Sequence, residues 1–214
     1  HLPPLGAAAG RIAAAQICLL ATARLATRPL DEVVAEAVDA GVDCVQLREK
    51  GPSDREILRS ARALRDITAR RGVLFIVNDR PDIAIRAAAD GVHLGQEDLP
   101  VAEVRALLEK KMLVGVSTHS VDQALAAERE GADYIGVGPM FPTLTKEAGP
   151  LLGPPGLRAV LAAVRLPAFA IGGINGSTVH SIREAGGTRV AISSAILAAT
   201  DIAAEVAALR TALT

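Results

Sequence analysis

The stretch LDEVVAEAVDAGVDCVQLREK, residues 30–50, holds a helix, a turn and a strand in immediate succession. From Leu30 to Ala40 apolar residues recur at helical spacing. Gly41 stands where a helix must turn back into a strand, and Cys44–Leu47 is the short apolar run of a buried strand. Arg48, Glu49 and Lys50 follow at once, so charge gathers at the carboxyl end of that strand.

Outward from this unit the same alternation covers the chain. Strands are expected at Gln16–Ala21, Cys44–Leu47, Leu74–Val77, Gly91–Leu94, Leu113–Val116, Tyr134–Val137, Ala168–Ile171 and Val190–Ile192. Helices are expected at Leu30–Ala40, Ser53–Arg70, Pro81–Ala88, Val101–Lys110, Val121–Glu130, Gly156–Val164, Thr178–Ala185 and Ile202–Leu213. Gly72, Gly131 and Gly186 repeat the part played by Gly41. Eight strand and helix pairs in 214 residues fit a single (β/α)₈ TIM barrel better than an open sheet, which more often has five or six strands. One domain is therefore expected over residues 1–214, with residues 1–14 as an N-terminal extension.

Composition narrows the partners. A balance of 23 basic and 24 acidic residues leaves a formal net charge of −1, which offers no basic surface for nucleic acid or anionic lipid. Small-molecule substrates are expected instead. Cys18 and Cys44 lie in apolar stretches without zinc-type spacing and are expected to be buried thiols. Residues 12–23 resemble a short secretory signal, yet the repeat needs them as its first strand. No apolar run reaches the roughly 20 residues that span a bilayer. A cytoplasmic protein without membrane contact is the expectation.

In such a barrel the chemistry sits where the strands end. Alternation puts Gln46, Arg48 and Lys50 on one side of the second strand and Leu47 and Glu49 on the other. An amide and two cations converging there suit a diphosphate, or they form ordinary ion pairs at a solvated strand end. Asn78, Asp79 and Asp98 follow the next two strands. The two aspartates suit Mg²⁺, which takes one or two carboxylates beside water and phosphate, or else each caps the helix after it. Residues 138–150 form a Gly- and Pro-rich loop that carries Thr143, Leu144, Thr145 and Lys146, with hydroxyls and a cation for a phosphate. After the last two strands come Gly172, Gly173, Ser193 and Ser194, where barrels often bind phosphate. His93 is expected to be a core residue, and Ser117 and His119 lie near the site, His119 without an assigned role.

The strings VQLREK (45–50), VNDR (77–80), GVHLGQED (91–98), GVSTH (115–119), DYIGVGPMFPTLTK (133–146) and AIGGI (170–174) together resemble the thiamine-phosphate synthase family. The resemblance implies an Mg²⁺-assisted transfer of a pyrimidinylmethyl group from a pyrimidine diphosphate to a thiazole phosphate, releasing pyrophosphate. It assigns Gln46, Leu47, Arg48, Glu49, Lys50, Asn78, Ser117 and Lys146 to the diphosphate substrate, with Arg48, Lys50 and Lys146 stabilising the departing charge. Asp79 and Asp98 match the metal ligands. Thr143, Leu144, Thr145, Gly173, Ser193 and Ser194 match the thiazole-phosphate site. A homodimer would be in keeping with the family.

Two departures stand out. Members usually open with a strand of the type Tyr-Leu-Val-Thr-Asp, whereas this chain has Cys18 to Ala23, and an aliphatic residue is commoner at Ser193. The alternatives are the thiazole tautomerase branch of the same barrel, in which a histidine at the place of His119 would matter, and a phosphate-ligand sensor without catalysis.

Overall fold

The computed structural model describes residues 5–108, 112–142 and 150–214. Its centre is a closed barrel of eight parallel strands in chain order: β1 (Ile17–Ala21), β2 (Cys44–Leu47), β3 (Leu74–Asn78), β4 (Gly91–Leu94), β5 (Leu113–Thr118), β6 (Tyr134–Val137), β7 (Ala168–Ile171) and β8 (Val190–Ile192). β1 closes the ring on β8, with Leu19 opposite Ile192. Outside it run α2 (Leu30–Asp39), α3 (Asp54–Arg71), α4 (Pro81–Arg86), α5 (Val101–Leu107), α6 (Val121–Arg129), α7 (Gly153–Ala163), α8 (Val179–Glu184) and α10 (Ile202–Leu213). The fold is the expected (β/α)₈ barrel.

Five strands have the predicted bounds, while β3 gains Asn78 and β5 runs on to Thr118. Among the described residues, two α-helices were not foreseen. α1 (Leu5–Ala14) precedes the barrel, and the four-residue α9 (Ser194–Leu197) follows β8 directly. The expected end of the fourth predicted helix, at 109–110, lies outside the described residues.

Period-two alternation divides the core into two bodies. One side of each strand packs against the surrounding helices, through Leu19, Val45, Phe75, Val92, Val114 and Ile135 among others. The other side fills the barrel with Cys18, Leu20, Cys44, Leu74, Ile76, Leu113, Tyr134, Phe169 and Ala191. α1 adds Ala8, Ile12 and the following Ala15 to this inner body, which makes the helix a plug for the amino end of the barrel. Both cysteines are buried free thiols, as expected.

A charged motif recurs with every second strand at that same end. Asp43, Asp90 and Asp133 stand just before β2, β4 and β6, and each accepts a backbone N–H near the start of the preceding strand: Ile17, Phe75 and Val114. Each also holds an arginine from a helix: Arg210 of α10, Arg65 of α3 and Arg105 of α5, with Arg11 of α1 as a second partner of Asp90. The carboxylate thereby ties two neighbouring strands to the outer layer. Before β8 the position belongs to Arg189, which donates to the carbonyl of Ala13 and so holds the end of α1. With the amino end closed and braced, the open end is the carboxyl one.

Candidate active site

A cavity of about 970 Å³ opens at the carboxyl ends of the strands, and all eight strands or the loops after them contribute to its wall. Its floor is the upper layer of the barrel interior. Gln46, only 5% exposed, and His93, also 5% exposed, rise there from β2 and β4. Arg48, Asn78, Ser117, Gly173, Ser193 and Ser194 join them around the wall.

Local structure positions these groups. The Thr22 hydroxyl, at the end of β1, donates to the carbonyl of Arg48 at 2.9 Å, and the Ala23 N–H donates to the Glu49 carboxylate at 2.6 Å. Two bonds thus fasten the mouth of β1 to the charged end of β2. Glu49 is committed to this bond, and Leu47 is buried among the outer core residues. Neither lines the cavity, in keeping with the alternation that sends them opposite to Gln46 and Arg48. The implied contacts of Leu47 and Glu49 with substrate therefore do not involve side chains turned into the cavity.

Asp79 follows β3 with φ of +61°, a left-handed conformation that aspartate tolerates better than most residues, and its N–H donates to the carbonyl of His93 at 2.8 Å. Such strain, of order 1 kcal/mol or more, is concentrated at functional sites. Asp98 accepts the N–H of Gly95 at 2.6 Å. The Asp79 pKa is pushed up to about 6, first by burial and then by the neighbouring Asp98 carboxyl, against the opposing pull of Lys50 and Arg48. Helix capping explains neither residue: the cap positions of α4 and α5 belong to Arg80 and Pro100. Among the described residues no group of three or more His, Cys, Asp or Glu side chains could hold a metal. A pair of facing carboxylates suits a hard cation that completes its shell with water and phosphate oxygens.

Lys50, Asp79 and Asp98 are not among the residues that line the cavity, although their neighbours Arg48 and Asn78 are; the chain after β7 lines it too and turns through Gly172 and Gly173, both with positive φ. A side chain at Gly173 would start 2.6 Å from the Pro142 carbonyl, so only glycine lets the two loops lie together. The Ser193 hydroxyl is spent on the carbonyl of Leu20 at 3.0 Å, which closes the seam between β8 and β1. Thr143, Leu144, Thr145 and Lys146 lie outside the described residues, although Pro142 and Pro150 on either side of them line the cavity.

The structure adds residues that sequence reasoning passed over. His93 was expected in the core. It is buried, but it faces the cavity, with Nδ1 3.1 Å from the Tyr134 hydroxyl and Nε2 2.9 Å from the Ser117 hydroxyl. Burial pulls its pKa down to about 4, so the ring is neutral. Alternation from Gly91 through Val92 would have revealed its direction. Arg24 and Leu25, on a 3₁₀ turn at Ala23–Leu25, also line the cavity. His119 lies on the wall and holds the Gly138 carbonyl through Nδ1 at 2.6 Å, which requires the hydrogen on Nδ1.

The family model described as thiamine monophosphate synthase matches residues 17–196. The thiamine-phosphate synthase of Chloroflexus aurantiacus is 48% identical over 179 residues, covering 83% of this chain and 82% of that protein. The thiamine-phosphate synthase of Gloeobacter violaceus is 46% identical over 191 residues, covering 89% of this chain; the chain spans only 55% of that longer relative. Among solved structures, the thiamine phosphate pyrophosphorylase from Pyrococcus furiosus superposes with a TM-score of 0.85 at 34% identity, covering 95% of this chain and 96% of that one. The fold, the ordered motifs around the cavity and these likenesses agree: the chain belongs to the thiamine monophosphate synthase family and is an enzyme of it.

Proposed function

We propose that this chain joins a pyrimidine bearing a diphosphooxymethyl group to a thiazole phosphate, giving thiamine phosphate and pyrophosphate. The observation that carries the reading is the facing pair Asp79 and Asp98, with Arg48 and Lys50 close enough to act on Asp79 electrostatically. Two acids and two cations side by side suit a diphosphate that arrives with a divalent metal. The glycine turn after β7, which lines the same cavity as Arg48, suits the second, smaller phosphate.

In this reading the C–O bond of the diphosphate ester breaks, its electron pair stays on pyrophosphate, and the thiazole nitrogen supplies the pair for the new C–N bond. No strong base is needed. Arg48 and Lys50 stabilise the charge that develops on the departing oxygen, and the cavity holds the two substrates in line. Asp79 and Asp98 would hold Mg²⁺, which supplies neutralisation of diphosphate charge when bound. Lys146 joins the cations in this reading through the family resemblance.

The test is pyrophosphate release by the purified protein with one or both substrates, with and without Mg²⁺, for the native chain and for Asp79→Ala. Release that needs both substrates and Mg²⁺, and falls at least about a hundredfold in the variant, is expected. Near-normal turnover by Asp79→Ala would remove the metal assignment. Binding of both substrates without pyrophosphate release would point to a sensor.

A further inference from the structure

We propose that Tyr134 and His93 form a directional relay that holds the Ser117 hydroxyl as a hydrogen-bond donor into the cavity, which makes Tyr134 and His93 positioning residues.

The relay begins with a constraint on one ring. His93 touches two hydroxyls, Tyr134 through Nδ1 at 3.1 Å and Ser117 through Nε2 at 2.9 Å. A neutral imidazole has one N–H and one lone pair, so one of these hydroxyls must donate to the ring and the other must accept from it. With the hydrogen on Nδ1, Ser117 would donate to Nε2 and could offer the cavity only lone pairs. With the hydrogen on Nε2, Tyr134 donates to Nδ1, the ring donates to Ser117, and the serine hydrogen is free to point into the cavity.

Two arguments select the second arrangement. Phenol is the more acidic hydroxyl and the better donor, and imidazole nitrogen is a strong acceptor. Finally, a ligand bound beside Arg48 and Lys50 is an anion, which takes donors and has none to give. The last point rests on the substrate reading above; the first does not.

The packing prevents the rings from turning to a different answer. Tyr134 lies over Gly115, where a Cβ would start 2.1 Å from its Cζ, and its ring meets Phe169 edge-on at 5.8 Å. His93 sits tilted against Tyr134, 5.4 Å between centroids, and a Cβ at Gly136 would be 3.4 Å from its Cε1. Glycines on β5 and β6 thus make a slot that both rings fill. Tyr134 is 3% and His93 5% exposed, so bulk water has little access to scramble the direction of the bonds.

The test has two readouts. Long-range ¹⁵N–¹H correlation spectra of the full chain with labelled histidine, with the His93 signals assigned by their loss in His93→Gln, report the tautomer without any substrate. The Nε2–H form is expected, and an Nδ1–H form overturns the relay. Kinetics of pyrophosphate release then compare Tyr134→Phe, Ser117→Ala and the double variant. Each single change is expected to lower kcat/KM for the diphosphate substrate about tenfold, and the double variant to be no worse than Ser117→Ala alone. Losses that simply multiply would show that Tyr134 acts apart from Ser117 and would overturn the proposal. The spectrum of the native chain decides the matter even where Tyr134→Phe folds poorly. An Nε2–H tautomer in a protein that releases no pyrophosphate would remove the substrate reading and keep the relay; an Nδ1–H tautomer in an active enzyme would do the reverse.

Discussion

The Asp90 carboxylate holds the Arg65 guanidinium at 2.8 Å in a place where the aspartate side chain is only 1% exposed. The same Oδ2 accepts the N–H of Phe75, and Oδ1 takes Arg11. Removing one member of a buried pair leaves the other charged and unmatched. Asp90→Asn is expected to cost about 3 kcal/mol, measured from the urea midpoint at unchanged slope. Asp43→Asn, whose pair with Arg210 is about one-third exposed, should cost less than half as much. Equal losses at the two sites would show that burial does not set the worth of these braces.

The slot beneath Tyr134 makes a second test. Gly115→Ala would place a methyl group inside the tyrosine ring, so a loss of at least about 2 kcal/mol is expected. In a Tyr134→Leu background the methyl has room, and the same change should cost much less. An undiminished loss there would place the strain elsewhere on β5.

Buried neutral, His93 ties stability to pH. Its folded pKa of about 4 lies below the unfolded value of 6.5, so the folded chain binds fewer protons between the two. The associated stability is complete above pH 6.5 and is lost as pH falls toward 4, to a total of about 3 kcal/mol. Between pH 7.5 and 5 the native chain should lose about 2 kcal/mol more than His93→Gln does, read from urea unfolding of both. Parallel pH profiles would show that His93 is not held neutral.

Much of this architecture could be read from the residues because strands buried on both sides are short apolar runs, and Gly41 and Gly72 mark where the helices stop. The place of Arg48 on the cavity wall was equally legible, since a charged residue directly after a buried strand has few places to go except the mouth of the barrel. His93 was passed over because its apolar neighbours describe a core strand, although strict alternation sets it opposite to Val92. α1 escaped for a related reason. Its short alanine-rich sequence gains little from helix propensity alone, and its reason for being ordered is the barrel end that Ile12 and Ala15 close. The part of Arg189 in holding α1 depends on an atom of Ala13 that is 176 residues away in sequence, a distance no local pattern spans.

The metal pair yields a binding test that is independent of turnover. With pyrophosphate present, Mg²⁺ is expected to raise the thermal midpoint of the native chain, since a ligand at a hundred times its Kd adds about 2.7 kcal/mol to the folded state. Asp79→Asn and Asp98→Asn should each abolish that increment. Asp54→Asn, an exposed carboxylate paired with Arg80, should leave it intact. Retention of the increment in both Asp79→Asn and Asp98→Asn would move the cation to other ligands.

The unusual first strand can be tested at Thr22. Its side chain is buried, lines the cavity and donates its hydroxyl to the carbonyl of Arg48, so it fixes the backbone from which the guanidinium projects. Valine has nearly the same shape and no hydroxyl. Thr22→Val leaves the Arg48 carbonyl without that donor, at a cost of about 1 kcal/mol in stability. A looser Arg48 should weaken the hold on the diphosphate and not on the thiazole phosphate, whose proposed site is the glycine turn after β7. KM for the diphosphate substrate is therefore expected to rise several-fold while KM for the thiazole phosphate stays within twofold, and Thr22→Ser, which keeps the donor, should restore the first value. An equal rise in both constants, or none in either, would mean that Thr22 shapes the strand without positioning Arg48.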